Sequence, residues 1–315
     1  MLEQFIFSVN AVIPLFLLIA LGFVLKKNKF IYENFIMDGN KFVLQVLLPI
    51  MLFNNVYTTD LNTFRNFKLA AVAVVISVFV FGAVWACAAL FFESKAILGS
   101  FVQGAFRANT AFIGVPLMRN IAGDAGIANF AFILVFIMPL YNIFTILVFS
   151  ACNASGEKIK LKTIFYTICK NPLTVSIFVG IIFSLLEIKI PHTINRSLED
   201  LARMATPMAL ICLGGGIKFL GFDKKFKYAV VGSALKIILS PLIFLAAGYA
   251  FGLRDIELVT ITILGGLPSA IIGYVMAVEM GGDGYVASNI VLISTLLSSV
   301  TLTFIVYGMM AAGLL

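Results

Sequence analysis

The feature that most constrains this chain is a succession of about ten apolar stretches, each roughly 20 to 28 residues long. An apolar helix of that length crosses the ~30 Å hydrocarbon core of a bilayer. The sequence is 61% hydrophobic and 12% charged, whereas a soluble domain is about half apolar and a quarter charged. We therefore predict an all-α membrane protein. Its predicted spans are residues 4–25, 39–57, 68–92, 96–121, 126–151, 168–188, 196–219, 227–252, 256–280 and 284–312.

The basic residues of the connections predict the orientation. With the N-terminus outside, the inner connections hold thirteen lysines and the outer ones six Lys or Arg residues. Cytoplasmic loops carry such an excess, so we predict a multi-pass protein of the cytoplasmic membrane with both termini outside. The net charge of +7 then reflects topology and does not indicate nucleic acid. Lysines follow the first apolar run instead of preceding it, which argues against a cleaved signal peptide.

Two segments place Asn, Pro, Gly and hydroxyl residues inside otherwise apolar spans. They are RANTAFIGVPLMRNIAGD (107–124) and GGLPSAIIGYVMAVEMGGD (265–283). Irregular backbone of this kind cannot face lipid, because unpaired N–H and C=O groups cost several kcal/mol there. Paired interruptions of this sort are typical of a transporter's binding site.

The two segments align without a gap at an offset of 159 residues, about half of the 315-residue chain. The aligned pairs are Ala111/Ala270, Ile113/Ile272, Gly114/Gly273, Gly123/Gly282, Asp124/Asp283 and Ala128/Ala287, with Thr110 opposite Ser269. We interpret the chain as two repeats, 1–153 and 154–315. Five spans is an odd number, so the second repeat must be inverted in the membrane, and the broken fourth and ninth spans would cross near its middle.

These segments resemble signatures of the auxin efflux carrier family. One signature is NTxxxGxPL, from Asn109 to Leu117; the other is LPxxIxxxVxAxE, from Leu267 to Glu279. The resemblance covers essentially the whole chain and implies the bile-acid-symporter-like fold. It implies a scaffold of helices 1, 2, 6 and 7, often dimeric, and a transport domain of helices 3–5 and 8–10. It also implies organic-anion cargo, such as malate, malonate or an auxin-like acid. The long hydrophilic loop of the larger plant members is absent, so auxin itself is not expected.

The breaks also predict the site residues. The second half of a broken helix presents free N–H groups and a positive dipole end, which suit a carboxylate. Asn109, Thr110, Pro268 and Ser269 stand at the breaks, either contacting the ligand or satisfying freed backbone groups. Arg107, deep in an apolar span, would bind a carboxylate or reach toward the inner interface. Further candidate site residues are Gly114, Pro116 and Lys236.

Other ionisable residues receive structural or auxiliary roles. Glu279 lies near the inner end of its span, where gating or coupling is a better interpretation than substrate contact. Arg203 is predicted to pair with Glu199 or Asp200 one turn away. The driving ion stays open between proton and sodium. We expect no cofactor and no metal site. The four cysteines (Cys87, Cys152, Cys169 and Cys212) are interpreted as core residues, and His192 follows a proline in a predicted loop.

An enzyme is not expected. An intramembrane aspartyl protease needs two adjacent carboxylates, but Asp124 and Asp283 would lie on opposite sides of the membrane and are predicted to be helix N-caps. No Walker loop is present. The prediction is therefore a secondary transporter for a small organic anion. The alternatives are a sodium-coupled symporter of the bile-acid type, or a membrane sensor or channel.

Overall fold

A computed structural model of the protein describes residues 2–58, 66–152, 172–217 and 223–315. Within these ranges the protein is helical and has no strands beyond one isolated pairing of two residues. In chain order the helices are α1 (Leu2–Lys27), α2 (Glu33–Thr58), α3 (Phe67–Phe91), α4 (Lys95–Phe106), α5 (Val115–Cys152), α6 (Pro172–Leu185), α7 (His192–Gly216), α8 (Phe226–Ala250), α9 (Asp255–Gly266), α10 (Ile271–Glu279) and α11 (Gly284–Ala311).

Six helical segments of the described residues are long and apolar enough to cross a membrane. They are α1, α2, α3, the Ala125–Cys152 part of α5, α8 and α11. Five of them agree with a predicted span to within two residues at each end, so these predictions are confirmed. The exception is α2, which begins at Glu33, six residues before the predicted start, because a polar first turn precedes its apolar part.

The other four predicted spans are shorter or more polar. The fourth is split between α4 and α5, and the ninth between α9 and α10. The first residues of the sixth, 168–171, lie outside the described residues. The seventh is the 25-residue helix α7, whose first half carries several charged residues. The prediction that His192 lies in a loop is wrong, because the helix begins at that residue, directly after Pro191.

The boundary between the fourth and fifth spans lies at Gly123, where α5 is kinked. Gly123 has φ 55° and ψ −143°, a left-handed conformation that glycine adopts without a steric penalty. The side chain of Asp124, predicted to cap the fifth span, lies outside the described part of the chain. The matching prediction for Asp283 is confirmed, because its Oδ1 accepts a 3.0 Å hydrogen bond from the Val286 N–H.

Helices α1, α2, α6 and α7 pack as one connected group, with α1 against α7 and α2 against both α6 and α7. Two glycines permit the close crossing of α1 and α7. A Cβ at Gly22 would lie 2.1 Å from the Ile211 carbonyl oxygen, and one at Gly214 would lie 1.9 Å from that of Ile19. Small residues allow this approach of membrane helices. Helix α4 packs instead against α3, α5 and α11, and α8 against α9 and α11.

Two predictions about single side chains have mixed outcomes. Cys212 is buried and Cys152 is partly buried, but Cys87 is exposed on α3, so its interpretation as a core residue is wrong. In a membrane the lipid-facing surface of a helix is as apolar as the protein core. A cysteine side chain can therefore lie on the lipid-facing surface or in the core. Cys169 lies outside the described residues. Arg203 pairs with Glu199 as predicted, with 4.0 Å between Nη2 and Oε2.

Candidate functional site

The two helix breaks lie side by side and bond to each other through their backbones. The Asn109 N–H donates to the Pro268 carbonyl oxygen at 2.8 Å, and the Ala270 N–H donates to that of Arg107 at 3.2 Å. Between these bonds Ala108 and Ser269 form an isolated antiparallel bridge. Both are buried. Each break therefore supplies backbone partners that the other has lost by leaving the helix, as backbone at membrane depth requires.

Beyond each break the chain re-enters a helix whose first N–H groups have no partner in the preceding turn. After the first break the helix restarts with the widened, π-helical turn Thr110–Gly114, which leads into α5. After the second it restarts as α10 at Ile271. Such helix starts carry a partial positive charge. Because residues of both starts line the same cavity, two positive helix ends meet at one place.

This cavity has a volume of about 280 Å³, close to the lower end of the range for small-molecule sites, about 300 to 1,000 Å³. It is formed by the two breaks, the middle of α2 and α5, and the first residue of α6. The lining residues are Leu44, Gln45, Arg107, Ala108, Asn109, Thr110, Ala111, Phe112, Met138, Tyr141, Asn142, Pro172, Ala270, Ile271 and Ile272. The size and mixed polarity fit a small polar ligand.

Arg107 is the charged residue of this lining among the residues described, and it is only 9% exposed. Its guanidinium donates from Nη2 to Asn142 Oδ1 at 2.9 Å and from Nη1 to Thr145 Oγ1 at 3.0 Å. Nη1 also lies 3.3 Å from the Met276 sulfur on α10. These partners are all neutral. The side chain does not snorkel to an interface, because contacts with α5 and α10 hold it inside the protein.

No carboxylate in the described ranges lies within ion-pairing distance of Arg107. A buried positive charge without a counterion is costly, and an anion in the adjacent cavity would neutralise it. Thr145 fixes the guanidinium from behind, since its hydroxyl lies 2.8 Å from Gln103 Oε1. The site thus holds a cation in a fixed position and leaves its charge available.

Asn109 also lines the cavity and carries a buried amide donor. Its side chain is 2% exposed, and its Nδ2 has no hydrogen-bond partner among the described residues. Buried amide donors are usually bonded, so the described residues leave one donor of a cavity-lining residue without an acceptor. Gln103 Nε2 is likewise buried without a hydrogen-bond partner among the described residues, but Gln103 does not line the cavity.

Apart from Glu279, the predicted site residues divide into three groups. Arg107, Asn109 and Thr110 line the cavity. Pro268 and Ser269 form the second break behind it, where the Ser269 N–H donates to Ser294 Oγ at 3.1 Å. Three others lie away from the lining: Gly114 packs near Phe130 and Leu267, Pro116 lies in the first turn of α5, and Lys236 bonds to the Gly265 carbonyl. The Glu279 side chain lies outside the described residues.

Sequence reasoning missed the neutral residues that build the site around Arg107. They are Gln45 on α2, Gln103 on α4, and Asn142 and Thr145 on α5. A usable signal existed, because Gln103 precedes Arg107 by four residues and Asn142 precedes Thr145 by three, so each pair shares a helix face. Polar side chains repeated at helical spacing inside an apolar span indicate an internal polar network.

The fold and this cavity define a membrane protein that encloses a cavity with a buried arginine at paired helix breaks. The chain belongs to the family described as "Membrane transport protein", whose model matches residues 7–306. It is 26% identical over 303 residues to an "Uncharacterized transporter" of Methanothermobacter thermautotrophicus, covering 95% of this chain and 97% of that protein. It is also 26% identical to a "Putative malonate transporter" of Rhizobium meliloti, over 85% of each chain.

A third relative matches a smaller part of this chain. "Auxin efflux carrier component 1" of Arabidopsis thaliana is 28% identical over 138 residues, which is 41% of this chain and 22% of that protein. The resemblance to the auxin efflux carrier family is therefore confirmed, and the protein is a multi-pass membrane transporter. Membership of this class of transporters implies that the protein lies in a lipid bilayer and acts on a small-molecule substrate.

Proposed function

We propose that the protein is a secondary transporter that moves a small organic anion across the cytoplasmic membrane by alternating access. A carboxylate of the malonate or malate type is the proposed substrate. The single observation that carries this proposal is Arg107, a buried guanidinium held by neutral acceptors in the wall of a cavity. Two helix N-termini lie at the same cavity and Asn109 lines it, so the Arg107 charge and the helix dipoles of the site both favour a negatively charged ligand.

The proposed architecture is two inverted five-span repeats, 1–153 and 154–315, with both termini outside. Support comes from the repeated motifs and from the antiparallel pairing of their breaks around Ala108 and Ser269. The packing of α1, α2, α6 and α7 as one group supports a scaffold on which the other helices move. The homodimer implied by the family resemblance stays a prediction, as do the proton or sodium coupling and the gating role of Glu279.

Counterflow in proteoliposomes tests the function directly. Vesicles are loaded in turn with malonate, malate, acetate and indole-3-acetate, and uptake of the labelled acid is followed. We expect saturable exchange of a carboxylate. Arg107→Gln should reduce it by about 100-fold or more, the factor that corresponds to losing ~2.8 kcal/mol of a buried charge contact.

The matched control is Arg203→Gln, which removes an arginine that is exposed on α7 and outside the cavity. It should exchange at nearly the wild-type rate. Absence of exchange of any carboxylate by folded wild-type protein would reject the proposed substrate class. Wild-type rates in folded Arg107→Gln would reject the proposed site.

A further inference from the structure

The end of α9 loses its normal hydrogen-bond donors at the second break. In a continuous helix the N–H groups of residues 268, 269 and 270 would bond to the carbonyls of Leu264, Gly265 and Gly266. Pro268 has no N–H. The Ser269 N–H donates to Ser294 Oγ at 3.1 Å, and the Ala270 N–H donates to the Arg107 carbonyl at 3.2 Å. The carbonyls of Leu264, Gly265 and Gly266 are thus deprived of the N–H partners that a continuous helix would give them.

Lys236 supplies the replacement for one of them. It reaches from α8, where it lies in the widened, π-helical turn Leu235–Leu239, and its Nζ donates to the Gly265 carbonyl oxygen at 2.8 Å. The side chain is 1% exposed. Over the described ranges no carboxylate pairs with its ammonium. The compensating negative charge is therefore the partial charge at the C-terminal end of α9.

This arrangement is the one in which a broken transporter helix binds a monovalent cation. Half-helix C-terminal ends and unwound carbonyls coordinate such cations at membrane depth. A lysine ammonium offers the same single positive charge on a tether. Unlike Arg107, Lys236 does not line the cavity, so its charge serves the backbone and does not reach the ligand.

We propose that Lys236 is a positioning residue that acts as a built-in cation: its ammonium fills a monovalent-cation site at the end of α9. By holding the Gly265 carbonyl it fixes the second break, and with it the start of α10 that faces the cavity. The link to transport rests on the proposed function. The cation site itself does not, because it can be tested without any substrate.

The first measurement is thermal unfolding of purified protein in choline chloride, sodium chloride or methylammonium chloride at equal ionic strength. Lys236→Ala opens the space of the ammonium, whereas Lys236→Met fills it without supplying a donor. We expect sodium or methylammonium to raise the Tm of Lys236→Ala by roughly 3 °C or more, as a ligand of the folded state does. Wild type and Lys236→Met should not respond.

The second measurement is carboxylate counterflow by the same proteins. In choline, Lys236→Ala should exchange at least about tenfold more slowly than wild type, and the cation that raises its Tm should restore part of the rate. Arg107→Gln should not be restored. If wild type exchanged no carboxylate, the proposed function would fail while the Tm response still tested the lysine. A Tm response that is absent from Lys236→Ala, or equal in wild type and Lys236→Met, would overturn the built-in cation.

Discussion

The two helix breaks have related sequences and pair through their backbones, yet each is served by a different cation. At the first break Arg107 belongs to the break itself and lies in the cavity wall, bonded to neutral side chains. At the second break Lys236 comes from a neighbouring helix and bonds to a backbone carbonyl outside the cavity. One charge is available to a ligand, and the other is used by the fold.

The difference arises because the charges are not part of the repeat. At the offset of 159 residues, the position equivalent to Arg107 is Gly266 and the position equivalent to Lys236 is Ser77. The aligned sequence motifs therefore account for the paired breaks and the two helix N-termini, but not for the charge. The site is therefore one-sided in charge, because among the residues described the first break places a cation in the cavity wall and the second does not.

The largest difference between the two breaks is expected in transport rate, when one side chain at each break is replaced by alanine. Asn109→Ala removes an unpartnered buried donor of a cavity-lining residue and should slow carboxylate counterflow by about 10- to 100-fold, the range for a hydrogen bond to a charged group. Ser269→Ala should stay within about twofold of wild type, because Ser269 does not line the cavity and donates to Ser294 through its backbone N–H, which alanine keeps.

Initial rates over a range of malonate concentrations would separate binding from turnover, and size-exclusion profiles would confirm that both variants are folded. Equal losses in the two variants would show that the breaks contribute alike, and the one-sided site would then be wrong.

Much of this fold could be predicted because membrane insertion imposes simple rules. Apolar length gave the ends of α1, α3, α8 and α11 to within two residues, and irregular composition located both breaks. The rule about backbone satisfaction also predicted that the breaks would be buried. These features depend on residues close together in sequence, which is why the chain alone was sufficient.

The side chains that face the cavity could not be predicted equally well from the sequence. Lys236 and Arg107 are both single cations inside apolar spans, and the sequence offered no means of deciding which one faces the cavity. The answer depends on contacts across 29 residues from Lys236 to Gly265 and 169 residues from Arg107 to Met276. The Cys87 error has a related cause, because apolar character does not distinguish the lipid face of a helix from its core.

A smaller effect, on the Tm, should distinguish Gly114 from Gly273, which occupy equivalent positions in the two aligned segments. A Cβ at Gly114 would lie 2.6 Å from the Phe130 ring and 2.7 Å from a Leu267 methyl group, whereas one at Gly273 would lie 3.0 Å from the amide nitrogen of Gln103. Overpacking costs about 1–3 kcal/mol, so Gly114→Ala should lower the Tm by about 2–6 °C.

The Gly273→Ala variant should stay within about 2 °C of wild type, because the end of the Gln103 side chain can move and alanine favours the helix by up to ~1 kcal/mol. Thermal unfolding in detergent measures both variants. The reverse order of Tm values would mean that the first break is the more loosely packed of the two.

The smallest expected effect is on thermal stability and concerns a second lysine, Lys225, which pairs with the N-cap residue of α11. Lys225 Nζ lies 2.8 Å from Oδ2 of Asp283, the residue that caps α11. The hydrogen bond and the charge of Asp283 raise the pKa of Lys225. Because the pair is partly exposed, Lys225→Met should lower the Tm by only about 1–3 °C, and the neighbouring Lys224→Met by less.

A raised pKa of a lysine means that its contribution is complete below the unfolded pKa, about 10.4, and is lost as the pH rises through the higher folded value. The Tm difference between wild type and Lys225→Met should therefore be the same at pH 7.5 and pH 9.5, and should shrink at about 1 M salt, where the Debye length is only ~3 Å. A difference that disappears by pH 9.5 would show that Asp283 does not hold the ammonium. A difference unchanged by salt would mean that Lys225 acts through packing, and the charge pairing of Lys225 with the α11 cap would be wrong.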